Sequence, residues 1–413
     1  MNDSITIKRG TELELDIESL AYGGMGLARQ DNFVIFVKYA IPGQKVFARI
    51  YKKRKGFAEA QVLKLLEESP NAEEVRCKHY WICSKIQSLS YDEQIKEKLA
   101  QVEDAFSRLG GFTDFKLDSV RKAEKIYNYR NKMEFSFGLD REGHRQLGLH
   151  VRGRYNRVFD LESCSLQSEV SNAIVAAVRR HADELEIPIY DLHSHEGVLR
   201  FLVVRDAKVD GRVLVNLVVA DFPNEKVGKL VAKVIEEIKE IETFLVTLHQ
   251  GKGQVATGQR EFVLRGSGSI LETCAGLEFE ISSRSFFQTN PVQAGKLYGL
   301  VGKLASEIEA SHVLDLYCGV GAISLYLARR ARFVTGVELE AEAVENAREN
   351  ATRNGITNCD FISGRVEEVM AQFCSARRQF DVIVLDPPRA GVHEKALEAL
   401  VNLGSKTVIY VSC

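Results

Sequence analysis

Hydrophobic and polar positions change their period along this chain, and the changes divide it. Over residues 5–66 the two alternate, as in Glu12-Leu13-Glu14-Leu15-Asp16-Ile17, Phe33-Val34-Ile35-Phe36-Val37 and Gln44-Lys45-Val46-Phe47-Ala48-Arg49-Ile50. A period of two is that of strands with one buried face. Glycine turns such as Tyr22-Gly23-Gly24-Met25-Gly26 separate them, and the pattern predicts a small barrel of the OB type. From residue 67 the period turns helical, with an amphipathic helix over 91–109 stopped by Gly110-Gly111. Residues 113–285 predict a mixed α/β region. Its clearest parts are a hairpin pairing 199–205 with 213–219 about Lys208-Val209-Asp210-Gly211, and a helix over 227–240.

Beyond residue 286 the pattern is doubly wound. Val313-Leu314-Asp315-Leu316-Tyr317-Cys318-Gly319-Val320-Gly321 reads as a buried strand entering a glycine loop, with a helix over 322–329 behind it. Phe333-Val334-Thr335-Gly336-Val337-Glu338 is a second strand ending in an acid, followed by a helix over 341–354 and a strand near 360–362. Such a half binds a nucleoside, the carboxylate of Glu338 accepting from ribose hydroxyls. The loop lacks the third glycine of the dinucleotide pattern, and Asp315 at the strand end repels a pyrophosphate while suiting a cation. This favours S-adenosylmethionine over NAD. Two more strands are predicted over 380–385 and 406–413. They deliver Asp386-Pro387-Pro388-Arg389-Ala390-Gly391 and Cys413 to the edge of the sheet where ligands bind. An inner strand ending on its last residue, Cys413, predicts further chain beyond it.

Bulk properties narrow the classes. With 413 residues, 45% hydrophobic and 27% charged, the chain is expected to form two or three globular domains. Apolar runs such as 213–220 are too short for a membrane span, and the start is not that of a signal peptide. A cytoplasmic protein is expected, with a monomer as the default. The net charge of -2 carries no signal for nucleic acid, but a local basic run does: Lys52, Lys53, Arg54 and Lys55 follow Tyr51. Tyr127-Asn128-Tyr129-Arg130-Asn131-Lys132 interleaves rings and cations, the mixture that stacks bases and neutralises phosphates. Eight scattered cysteines argue against a disulfide framework. Cys274, Cys318, Cys359 and Cys374 read as small core residues, whereas Cys77 and Cys83 are spaced either for a metal or by chance.

Four motifs in order carry a resemblance: Ser285-Phe286-Phe287-Gln288-Thr289-Asn290, the Asp315 to Gly321 loop, the Asp386 loop, and Tyr410-Val411-Ser412-Cys413. The chain resembles the S-adenosylmethionine-dependent RNA 5-methyluridine methyltransferases over essentially its whole length. The resemblance implies an RNA-binding TRAM barrel (1–66), a central α/β domain with an iron-sulfur site (67–285), and a Rossmann-like methyltransferase domain without its last strands (286–413). It implies cofactor contacts from Gln288, Asp315, Tyr317, Gly319, Gly321, Glu338 and Asp386. Cys413 looks like the nucleophile, with Asp386 beside it in the catalytic group. The target base is expected to be flipped out and stacked on Phe286 or Phe287, with Arg130 and Lys132 among the RNA contacts. The favoured RNA is 23S rRNA, with tRNA second.

The family holds a 4Fe-4S cluster on four cysteines. Cys77, Cys83 and Cys164 match three of those positions, but Ile86 stands at the other, so a three-thiolate cluster and no cluster both remain open. Ala322 replaces a polar residue usual after the glycine loop, removing a hydrogen bond worth about 1 kcal/mol. The family's general base, a glutamate, lies beyond the position of Cys413. A non-catalytic RNA-binding relative is the competing reading.

Overall fold

The computed structural model describes residues 7–412 except 119, 152 and 155. Cys413 therefore lies outside the described residues. The chain forms two compact units, Met1–Glu124 with Val151–Gly153, and Lys125–His150 with Arg154–Cys413.

The first unit opens with six strands: β1 Glu12–Asp16, β2 Ser19–Ala21, β3 Met25–Gln30, β4 Phe33–Lys38, β5 Lys45–Lys53 and β6 Phe57–Glu67. They form one sheet in the order β1-β5-β6-β4-β3-β2. Inward positions alternate as the sequence pattern requires, and Ala28, Ile35, Val37, Val46, Ala48, Ile50, Ala58 and Ala60 are fully buried. A short helix α1 (Tyr80–Cys83) precedes α2 (Tyr91–Asp104), which Ser90 caps by accepting from the Glu93 N–H.

The regular helix ends before its predicted limit, and Ala105–Leu109 continues as a π-helical turn. None of the residues of α2 is buried, although its apolar spacing is helical. Polar tethers hold it instead. The Leu20 N–H donates to Glu97 Oε2 at 2.7 Å, Gln101 Nε2 donates to the Leu20 carbonyl at 3.1 Å, and the Ala123 N–H donates to the Tyr91 hydroxyl at 2.9 Å.

The second unit contains a sheet built from β7 (Lys132–Leu139), β8 (Arg145–His150), β9 (Val158–Asp160), β10 (Leu199–Asp206), β11 (Val213–Val219), β12 (Ile241–Leu248) and β13 (Arg260–Arg265). Its order is β13-β12-β11-β10-β7-β8-β9. β10 and β11 pair antiparallel as the hairpin expected from sequence, and both are buried along their whole length. Helices α3 (Glu169–Glu184) and α4 (Glu225–Glu237) share a hydrophobic core with this sheet. The hairpin of β14 (Ser269–Cys274) and β15 (Leu277–Ser282) leads to α5 (Pro291–Glu307). Asn290 caps α5 by accepting from the Gln293 N–H at 3.1 Å, and Pro291 occupies its first turn.

The last part winds β16 (His312–Leu316), α6 (Ala322–Ala328), β17 (Phe333–Glu338), α7 (Ala341–Arg353), β18 (Cys359–Ser363), α8 (Val366–Ser375), β19 (Val382–Leu385), α9 (Glu394–Leu403) and β20 (Thr407–Tyr410). All pairs are parallel, in the order β18-β17-β16-β19-β20. The order reverses at β16, and in open α/β sheets the crevice at the carboxyl ends beside that reversal is where ligands bind. Among the described residues no helix is long and apolar enough to cross a membrane.

Candidate active site

Strand β16 passes into its loop through three left-handed residues. Tyr317 has φ 64°, Gly319 φ 55° and Gly321 φ 81°. At Gly321 a side chain would be strained and crowded, because an added Cβ would meet the Phe361 ring at 3.0 Å and the Ala347 Cβ at 3.1 Å. The Glu338 carboxylate at the end of β17 ties this loop down. Its Oε2 accepts from the Gly319 N–H at 3.0 Å, and its Oε1 accepts from the N–H groups of Leu339 at 2.7 Å and Glu340 at 3.0 Å. Tyr317 is half-buried against the cluster around α8 and α9, and burial raises its pKa.

Asp315, at the same strand end, is fully buried. Its Oδ2 accepts from the Ser324 hydroxyl on α6 at 2.6 Å, and its Oδ1 has no partner among the described residues. Burial, assisted by the negative charge of Asp386 and Glu338 and opposed by Ser324, pushes its pKa to about 7. Asp386 follows β19, and its half-buried carboxyl is also raised by burial. Three carboxylates thus end three adjacent strands, β17, β16 and β19. A buried carboxyl with one oxygen unpartnered, crowded by two others, suits a cationic ligand better than an anionic one.

The segment 283–290 is irregular and is held by donors from elsewhere in the same unit. Arg205 of β10, 3% exposed, donates from Nη2 to the carbonyl of Ser285 and, at 3.4 Å, to that of Ser283. Asn131 donates its backbone N–H to the Thr289 carbonyl at 2.9 Å and its Nδ2 to the Gln288 carbonyl at 3.1 Å. From α7, Asn350 donates to the Val320 carbonyl at 3.3 Å and accepts from the Glu280 N–H at 3.0 Å, which joins the glycine loop to β15. Sequence reading did not single out Arg205, Asn350 or Ser324. Asn131 stood in a quoted motif, but there its neighbours' charge and rings were the signal.

The two phenylalanines of the segment part company. Phe286 is 71% exposed, whereas Phe287 is 3% exposed, its ring 5.3 Å from that of Phe279 in the core. Phe287 is therefore withdrawn as a stacking residue, because alternate residues of an extended segment face opposite ways. Lys132 is also less free than its place in the basic motif suggests. Its Nζ lies 2.5 Å from Glu134, and burial, together with Arg205 nearby, lowers its pKa. Arg130 donates from Nε to the Lys132 carbonyl at 2.9 Å.

In the first unit Lys52 is paired with Glu59, and the Lys53 ammonium lies 5.8 Å from the Phe33 ring. Lys53 at the end of β5, and Arg54 and Lys55 in the turn that follows, are exposed.

Cys77, Cys83 and Cys164 match three of the family's four cluster positions, and Ile86 leaves the other without a thiolate. Ile86 packs against the small core of Leu20, Ile41 and Leu89. Cys77 lies buried with its sulfur 3.3 Å from Gln87 Nε2, while Cys83 is exposed. Cys164 is buried, and its N–H donates to Asn172 Oδ1 at 2.8 Å. His79 is buried, and that burial lowers its pKa and keeps the imidazole neutral. Burial pushes the thiols of Cys274 and Cys359 up to about 12 and that of Cys318 well above its ordinary value, so all three stay protonated near neutral pH.

Comparison with known proteins bears on the same two ends of the chain. A TRAM domain model matches residues 7–63 and a methyltransferase domain model residues 308–413. An uncharacterized RNA methyltransferase of Clostridium tetani is 37% identical over 417 residues, covering 99% of this chain and 90% of that one. One of Caldanaerobacter subterraneus subsp. tengcongensis is 36% identical over 410 residues, covering 98% and 90%. The crystal structure of Pyrococcus abyssi tRNA (uracil-54, C5)-methyltransferase with S-adenosyl-L-homocysteine superposes with a TM-score of 0.76 at 24% identity, covering 97% of this chain and 90% of that one, and so shares the fold. With relatives at this identity along nearly all of its length, the chain belongs to the RNA methyltransferases, with a TRAM domain ahead of its methyltransferase domain.

Proposed function

We propose that the chain transfers a methyl group from S-adenosylmethionine to carbon 5 of a uridine in RNA, through a covalent adduct of Cys413 with uracil carbon 6. The observation that carries this is the pairing of β19 with β20 in parallel, Leu385 opposite Tyr410, so that the Asp386 loop leaves beside the strand whose sequence runs on to Cys413. Support for the donor comes from the three carboxylates around the glycine loop. Glu338 would take the ribose hydroxyls, and Asp315 and Asp386 would face the positive end of the donor, with Gln288, Tyr317, Gly319 and Gly321 lining the remainder. S-adenosylmethionine supplies an electrophilic methyl carbon.

The thiolate of Cys413 adds to carbon 6, forming an S–C bond and placing the electron pair of the 5,6 double bond on carbon 5. Carbon 5 then bonds to the methyl carbon as the sulfonium–methyl bond breaks. A base removes the proton of carbon 5, the double bond re-forms, and Cys413 leaves. Phe286 is the exposed ring suited to stack on the flipped base. Arg130 and Lys132, with the basic turn 52–55, would meet the phosphates. The favoured RNA is 23S rRNA and tRNA the runner-up, and the setting is the cytoplasm. None of these steps uses an iron-sulfur cluster.

The test is to incubate the chain with S-adenosylmethionine and 5-fluorouridine-substituted transcripts of 23S rRNA and of tRNA. A denaturation-stable protein–RNA adduct is expected with wild type and none with Cys413→Ala. Nucleoside mass spectrometry of unsubstituted transcripts should show 5-methyluridine. Methylation at an exocyclic amine, or an adduct that survives Cys413→Ala, would overturn the mechanism.

A further inference from the structure

Two irregular segments of the second unit, 125–131 and 283–290, carry two of the proposed RNA contacts, Arg130 and Phe286, and a proposed cofactor contact, Gln288. Neither is set in a sheet ladder, so each depends on discrete hydrogen bonds for its position. Asn131 is where they join. Its backbone N–H and its Nδ2 reach consecutive carbonyls, those of Thr289 and Gln288, at 2.9 and 3.1 Å, and its own carbonyl accepts from the Asp206 N–H at 3.0 Å. The residue is 5% exposed, and its Oδ1 has no partner among the described residues. Burying an amide with its acceptor unmet is costly, so the position uses the amide as a donor to the Gln288 carbonyl. The preceding residue, Arg130, is tied through its N–H to the Leu166 carbonyl at 2.9 Å and carries a proposed phosphate contact. On the far side, Gln288 and the exposed Phe286 belong to the segment that Asn131 and Arg205 hold.

We propose that Asn131 couples RNA binding to cofactor binding, by making the Arg130 segment and the Gln288 segment one ordered body. This rests on the functional reading above. When either ligand orders its own segment, the bonds through Asn131 order the other, and the second ligand meets a site already ordered. Coupling of this kind is reciprocal: RNA tightens the cofactor by the same factor as the cofactor tightens RNA.

The experiment measures the Kd of S-adenosylhomocysteine with and without saturating RNA, using whichever of the 23S rRNA and tRNA transcripts wild type binds more tightly. RNA is expected to tighten wild-type binding by about 3- to 10-fold. In Asn131→Ala the ratio should fall toward one, whatever the change in the Kd without RNA. Asn131→Asp keeps the volume and loses the donor, and should behave alike even if the alanine variant folds poorly. A purely structural role would weaken both constants and leave their ratio alone. A ratio of one in wild type, or a wild-type ratio retained in both variants, overturns the coupling. A wild type that binds no S-adenosylhomocysteine overturns the functional reading and the coupling with it.

Discussion

Asp315 is the residue whose environment most departs from what its place in the sequence implies. A strand-end carboxylate read as a ligand for a cation is fully buried, carries a hydrogen bond from Ser324, and has its pKa raised from 3.8 to about 7. The sign of its effect on stability follows. Between about pH 4 and pH 7 the folded chain keeps a proton that the unfolded chain has lost, so stability falls as pH rises through that window and levels off above it. Asp315→Asn removes the ionisable group. It is expected to be more stable than wild type at pH 8, by the order of 4 kcal/mol, and to lose that advantage toward pH 4. Melting temperatures of the two proteins across this range check it, and parallel curves would refute it. On the proposed role of Asp315, the same variant should bind S-adenosylmethionine at least about tenfold more weakly at pH 8. Asp315, Glu338 and Asp386 were legible as candidates because polar groups at the carboxyl ends of apolar strands stand out. Ser324 was not, since one serine on an otherwise apolar helix looks like any small core residue.

At the scale of elements, periodicity located the strands and helices and the buried faces of the strands, but not the burial of every helix. The hairpin of β10 and β11 and the alternation of strand and helix after residue 311 follow from apolar runs that only a buried sheet can use. Helix α2 shows the limit, because helical spacing says which residues share a face and not what covers it. Two contacts invisible to periodicity give predictions. At Gly336 in β17 an added Cβ would lie 2.6 Å from the Phe361 ring and 2.9 Å from the Cys318 sulfur. Gly336→Ala should therefore cost about 1–3 kcal/mol by overpacking, read as a lowered melting temperature, and Phe361→Leu in the same chain should restore part of it. Arg200, buried in β10 under the ring of Tyr190 at 4.1 Å, donates to the carbonyls of His249, Gly251 and Gly253 at 2.7, 2.5 and 2.7 Å. Arg200→Met removes the donor to the carbonyls of His249 and Gly251 and leaves that of Gly253 only its contact with His249 Nε2 at 2.9 Å. Hydrogen exchange is expected to rise across 249–259 before it rises in β11, and stability to fall by about 3 kcal/mol.

At the scale of the molecule, a chain of net charge -2 belongs to a family that acts on RNA, so attraction to phosphate must be local. The exposed turn of the TRAM domain is the place to test. Replacing Lys53, Arg54 and Lys55 together by Ala should lower the slope of log K against log salt for RNA binding by about 2 to 3, while the affinity for S-adenosylhomocysteine stays unchanged. An unaltered slope would remove that turn from the interface. By itself the sequence determined the α/β class, the order of TRAM and methyltransferase parts, and the strand ends where the chemistry gathers. These depend on local period and on short motifs, which a single chain displays directly. The tertiary structure alone decided which of Phe286 and Phe287 faces out, that Ile86 fills an apolar cluster instead of leaving a ligand position open, and that Asn131 and Arg205 hold the segment of Gln288. Those outcomes depend on which residues far apart in the chain come into contact, and neither period nor spacing encodes a partner.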